Sequence, residues 1–100
     1  MAGYGYIIGQ VEVKDPEAYR EYIARAPATI AQYGGEYLVR GGAFEVLEGE
    51  WARERTVVLR FPSVEDAKRW HASPEYEEPK ALRNRVALTN MVVIEGAAPS

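Results

Sequence analysis

The sequence predicts an α+β fold of the ferredoxin-like type: a four-stranded antiparallel sheet with two helices on one face. Three observations predict it. Strand-like and helix-like segments follow one another in the order βαββαβ over 100 residues, the order of the split βαβ arrangement. The strand segments alternate with period two and are rich in β-branched and aromatic residues, whereas the helical segments repeat apolar residues at steps of three and four. The sheet face that two helices leave uncovered is also apolar, which predicts a second copy of the chain against it. A chain of this length suits one domain, residues 1–100, with the terminal AAPS at 97–100 a frayed tail.

The first strand is YGYIIGQVEV, Tyr4–Val13. Ile7, Val11 and Val13 share one face, and Tyr4, Tyr6, Ile8 and Gln10 the other. In DPEAYREYIARAPATIAQYGG, Asp15 is a good N-cap, Pro16 suits the first helical position and Glu17 complements the helix dipole. Tyr19, Tyr22, Ile23, Ala26, Ile30 and Tyr33 form one apolar stripe. Pro27 has no N–H for the carbonyl of Ile23 and crowds it, so a kink or break is expected there. Gly34 is the expected left-handed stop. EYLVRGGAFEVLEG reads as the second strand, bent at Gly41–Gly42, because glycine inside a strand marks a bulge or a close approach. EGEWARER is a polar hairpin connection, and RTVVLRF is the third strand, with Val57, Leu59 and Phe61 opposite Thr56, Val58 and Arg60. Ser63 with Asp66 resembles a capping box and opens the second helix. Ser73–Pro74–Glu75 starts an irregular helical tail that Pro79 interrupts, and LTNMVVIEG is the last strand.

Composition narrows the function. Net charge is −3 with acidic and basic residues interspersed, unlike the basic stripe of a nucleic-acid binder. No apolar run approaches the roughly 20 residues of a membrane span. The first ten residues lack the basic and apolar regions of a signal peptide, so a cytoplasmic location is expected. There is no cysteine, which removes disulfides, thiolate nucleophiles and cysteine-ligated metals. Neither the dinucleotide fingerprint nor the P-loop matches the glycine spacing of GGEYLVRGG. No metal and no cofactor is expected.

DPEAYREY, YGGEYLVRGG, LEGEW, LRFPSVEDAKRWHASPEY and MVVIEG, spread over Tyr4 to Gly96, together resemble DUF1330, a family of small bacterial proteins labelled a domain of unknown function. The resemblance implies the dimeric α+β barrel superfamily, in which two ferredoxin-like protomers pack sheet to sheet. It implies no reaction, since that superfamily includes monooxygenases, isomerases, haem-degrading enzymes and binding proteins. This chain has His71 where the family often has tyrosine.

Residues that carry chemistry are few. Arg40, placed by alternation on the face of Leu38 and Glu36, adjoins glycines that leave room for a carboxylate. Arg60 is the second candidate anion anchor. Their ordinary alternative is pairing with glutamates of a partner subunit or snorkelling at the barrel rim. His71, the only histidine, titrates near neutrality and is the candidate acid/base. It falls at a helix end, where the charged form is favoured. Tyr6, Trp70 and Tyr76 are candidate pocket walls among aromatics that otherwise serve core or interface. Three readings follow: a cofactor-free enzyme acting on a small carboxylate- or carbonyl-bearing molecule, a ligand-binding module, and a dimeric scaffold.

Overall fold

The structure is a computed structural model that describes residues 3–97. The frayed tail expected at 97–100 therefore lies outside the described residues but for Ala97. Seven elements follow in order: β1 (Gly5–Val13), α1 (Pro16–Gln32), β2 (Glu36–Arg40), β3 (Arg55–Phe61), α2 (Val64–His71), α3 (Pro74–Val86) and β4 (Ala87–Glu95). The four strands form one antiparallel sheet in the order β2-β3-β1-β4. The helices lie on one face, and the molecule is flat, measuring 43 × 38 × 16 Å.

The helix starts follow the sequence. Asp15 accepts from the N–H of Ala18 at 3.1 Å. Ser63 accepts from Asp66 N–H at 3.1 Å, and Ser73 from Tyr76 N–H at 3.2 Å. Beyond the end of α1 at Gln32 the chain turns at Gly34, with φ +80°. Gly34 N–H donates to Ala31 O and Gly35 N–H to Ile30 O, each at 3.0 Å, the paired bonds of a Schellman stop. At Gly35 any Cβ would run into the Phe61 ring and Ile30 at 2.6–2.7 Å, so the first glycine pair serves both the turn and the packing.

Three expectations are corrected. Pro27 does not break α1, which is continuous from Pro16 to Gln32. The carbonyl of Ile23 that loses its helical donor accepts instead from Arg40 Nη2 at 3.1 Å. Pro79 does not interrupt the last helical segment either, so the described residues form three helices, α3 running through Pro79 to Val86. β2 ends at Arg40, and residues 41–54 form an irregular connection instead of a bent strand and a short hairpin.

The core lies between helices and sheet. Ile7, Ile30, Leu59, Phe61, Trp70 and Tyr76 are all at most 3% exposed and form its centre. Val11, Tyr19, Leu82 and Val86 extend it under α1 and α3. On the opposite face the register aligns Val39, Val58, Ile8 and Val92 in one row across all four strands. Leu38, Leu88, Val92 and Ile94 around that row are 46–51% exposed.

Candidate functional site

The positions of the arginines decide where ligand chemistry is available. β2 carries a bulge between Tyr37 and Val39. Tyr37 pairs with Leu59, but Val39 pairs with Val58 and Arg40 with Val57. The extra residue, Leu38, shifts the alternation by one. Arg40 therefore faces the helices with Val57 and Leu59, not the face of Glu36 that strict alternation predicts. Its guanidinium lies over the Tyr37 ring, 4.5 Å from the centroid, a cation–π distance.

Arg60 stays on the open face. It pairs with Glu36 and lies 4.5 Å over the Tyr4 ring, with its cross-strand partner Tyr6 beside it. Arg40 and Arg60 are thus on opposite sides of the sheet and do not act together. The room beside Gly41 (φ +69°) is not free for an anion next to Arg40, since a Cβ there would overlap the Arg55 guanidinium. Gly41→Ala is expected to lower stability by about 1 kcal/mol or more, from the positive φ and from displacement of Arg55, as read by urea unfolding.

The Arg40–Ile23 contact makes a further prediction. Pro27→Ala restores the helical donor to Ile23 O, so Arg40→Met should cost about 1 kcal/mol in the parent chain and markedly less in the Pro27→Ala background. Equal losses in both would dissociate Arg40 from the helix defect.

Arg40 sits at the mouth of a cavity between the helices and the sheet. Arg55 of β3 and Arg83 of α3 line the same cavity, with Tyr19, Tyr22 and Tyr37. Ile7, Val11, Val57, Leu59 and Met91 supply its apolar walls, and Trp70 its end. The atom-free space, mouth included, is ≈ 480 Å³, but it is narrow and only ≈ 30 Å³ of it is open to water. That is room for an ordered water or two as it stands.

The electrostatics are one-sided. Arg83 is 4% exposed, and the Nε atoms of Arg55 and Arg83 are buried without a hydrogen-bond partner. None of the three arginines forms an ion pair among the described residues. Their charges rest against aromatic rings: Arg55 is 5.8 Å from the Tyr19 centroid and Arg83 5.9 Å from that of Tyr22. Tyr22 and Tyr76 share a hydrogen bond of 2.6 Å between their hydroxyls. Burial, then the neighbouring Tyr76, pushes the Tyr22 phenol far up from its ordinary value. Burial also raises Tyr19 and Tyr37, against the partly offsetting charges of Arg55 and Arg40.

The remaining candidates fall elsewhere or in the core. Trp70 is 1% and Tyr76 0% exposed; they stack at 4.1 Å between centroids, and Trp70 Nε1 donates to Thr29 Oγ1 at 3.1 Å. His71 lines a separate groove with ≈ 500 Å³ of atom-free space between α2 and β4, with Lys68, Ala67 and Val93. It does not share the cavity of Arg40. Lys80 Nζ donates to the His71 carbonyl at 2.8 Å, so the cation at this helix end is Lys80. Burial, then the charges of Lys80 and Arg83, lowers the His71 pKa, reversing the expected preference for the charged form. The unfolded chain then binds this proton first as pH falls from about 6.5, and stability declines with it. His71→Gln should flatten that part of the stability–pH curve; the depressed carboxylates Asp66 and Glu75 act only at lower pH. An unchanged slope between pH 7 and 5 would contradict this assignment.

Arg55 and Arg83 were not singled out from the sequence, although a signal for each exists. Arg55 has the parity of Val57, Leu59 and Phe61, and Arg83 continues the stripe of Tyr76, Pro79 and Val86. Among the described residues no group of three His, Asp or Glu side chains is placed to hold a metal ion, and no helix is long and apolar enough to cross a membrane.

Solved structures share the fold. A protein of unknown function from Rhodopseudomonas palustris matches with a TM-score of 0.77 at 18% identity, over 99% of this chain and 86% of its own. SnoaB, a cofactor-independent oxygenase from Streptomyces nogalater, matches with a TM-score of 0.62 at 14% identity, over 98% and 97%. A Caulobacter crescentus protein provisionally described as an antibiotic biosynthesis monooxygenase gives 0.67 at 9% identity, over 97% and 92%. Comparison with curated proteins gives no match. The family model for DUF1330, domain of unknown function, matches residues 4–97, and the chain belongs to that family.

Proposed function

We propose that the cavity between helices and sheet binds a small carboxylate- or carbonyl-bearing molecule, with no resident cofactor. The observation that carries this reading is the buried, unpaired Arg83 beside Arg55 and Arg40. A guanidinium is always charged, and a buried charge without a counter-charge is costly. An anionic or strongly accepting ligand removes that cost. Arg40, exposed at the mouth, is the movable element, since its one hydrogen bond is to Ile23 O. The description of the Streptomyces neighbour as a cofactor-independent oxygenase agrees with a cavity of this kind; at 14% identity the likeness carries the fold and not the reaction.

The test is thermal stability across a panel of small carboxylates and their neutral amides. Benzoate-sized carboxylates should raise Tm in proportion to the logarithm of their concentration above Kd, and the amides, which accept without a charge, should raise it less. Arg83→Met should leave the unliganded Tm unchanged or higher, because a buried unpaired charge is replaced by an apolar group, and should abolish the ligand-dependent rise. A large loss of unliganded stability would instead make Arg83 structural.

The assembly belongs to the same reading. The row Val39–Val58–Ile8–Val92 crosses the whole open face, and no helix or strand among the described residues covers it. A second copy packed face to face fits an apolar, self-complementary surface. The homodimer is the unit in which we place the cavity.

A further inference from the structure

Resting on the reading that this cavity takes an oxyanion, the geometry points to a further ligand class: we propose that the cavity selects phenols and enols and holds them in ionised form, the proton passing to solvent. The polar groups that face the cavity are Tyr19 and Tyr22 from α1, Tyr37 and Arg40 from β2, Arg55 from β3 and Arg83 from α3. β1 and β4 contribute only Ile7, Gly9, Val11 and Met91. Among the described residues no carboxylate and no histidine is in that lining. Guanidinium groups only donate, and the Ile23 carbonyl at the rim already accepts from Arg40.

Counting hydroxyl hydrogens sharpens this. Tyr22 and Tyr76 have two between them, and one lies in their mutual 2.6 Å bond. No acceptor for the second is present among the hydrogen bonds of the described residues. Tyr76 is fully buried and stands behind Tyr22, which lines the cavity. With Tyr76 donating to Tyr22, the free hydrogen belongs to Tyr22 and is available to a ligand oxygen. Burial keeps this phenol protonated, so it donates throughout the working pH range.

A ligand hydroxyl entering such a wall finds donors and no base. Its O–H bond breaks to leave the electron pair on oxygen, where the arginines and Tyr22 stabilise it. The proton goes to buffer, since the arginines are already protonated. An opposite charge at close range lowers an acid's pKa by about 1–3 pH units. The space as it stands holds an ordered water or two, so a conjugated anion enters only as Arg40 swings out and the walls part; the aliphatic walls and Trp70 then meet its flat apolar body.

The probe is 4-nitrophenol, whose anion is coloured and which titrates near neutrality. With protein in excess, its apparent pKa should fall by about 1–3 pH units. In weakly buffered solution below its free pKa, binding should release close to one proton per phenol. Tyr22→Phe should diminish the shift, and Arg83→Met should largely remove it. If Arg83→Met does not fold by circular dichroism, Arg40→Met at the exposed mouth replaces it, with a diminished shift expected. 4-Nitrobenzoate, ionised throughout, is the control arm. Stabilisation by nitrobenzoate with an unshifted or unbound nitrophenol overturns this inference and leaves the carboxylate reading standing. Binding of neither overturns both. A shift that survives Arg83→Met and Tyr22→Phe together places the phenolate elsewhere and also overturns it.

Discussion

Trp70→Ala is expected to lower the stability of the protein by about 3–5 kcal/mol, the range for deleting a large buried aromatic side chain. Trp70 is 1% exposed, with ring centroids 5.6 Å from Phe61 and 4.1 Å from Tyr76. Its indole N–H meets Thr29 Oγ1, and Thr29 in turn donates to the Ala26 carbonyl at 2.7 Å. Truncation opens a cavity where α1, α2 and α3 meet and leaves the Thr29 oxygen without its donor. Domains of this size have total stabilities of about 5–15 kcal/mol, so the variant sits near the folding threshold. Urea unfolding with far-UV circular dichroism reads the effect; a loss under about 1 kcal/mol would mean that the site collapses freely. Trp70→Phe keeps most of the apolar volume and isolates the hydrogen bond, with an expected loss of about 1–3 kcal/mol from ring shrinkage and the unpaired oxygen. Trp70 was singled out as a pocket wall, and it does close one end of the cavity, but substitutions there change the fold before they change binding.

Ile8→Glu should have an effect of similar size by a different route. Ile8 stands in the middle of the open face, opposite Val58 on one side and Val92 on the other. In a single protomer it is half-buried, and a glutamate there can reach water. Between two packed sheets it cannot, and an unpaired carboxylate is excluded from such an interface. Wild-type protein at micromolar concentration should scatter light as a dimer with an interface of about 2,000 Å² or more. Ile8→Glu should yield an aggregated or unfolded chain more readily than a folded monomer, because one wetted sheet face removes the burial on which a small protomer depends. A wild-type monomer by mass, or an Ile8→Glu chain with unaltered mass and Tm, would refute the face-to-face assembly.

Local chemistry explains how much of the molecule can be read from the chain alone. Asp15, Ser63 and Ser73 cap helices because a short oxygen-bearing side chain meets the free N–H groups of the next turn, whatever else the protein contains. Gly34 ends α1 because only glycine enters positive φ without penalty. The period of the strands and the spacing of the helix stripes likewise give the element order and the buried face. The apolar character of the open face is legible in Tyr6, Ile8 and Val58 for the same reason.

The candidate site is different, because its members meet only through the tertiary structure. A one-residue bulge at Leu38 reverses the side on which Arg40 emerges, and alternation cannot reveal it, since period-two reasoning presumes an unbroken ladder. Pro27 and Pro79 lie in intact helices. For Pro27 the compensating donor, Arg40, comes from another element 13 residues away in sequence, and propensity describes only the local loss. Arg55 and Arg83 come from β3 and α3, and neither has a meaning until packing brings them to one cavity without a carboxylate. The sequence by itself therefore determined the helix starts, the order of the strands along the chain, the buried faces of β1 and β3 and the family fold, most of which depends on interactions within a few residues. Only the tertiary structure decided which charges are buried together, because burial and the absence of a partner are properties of distant segments brought side by side.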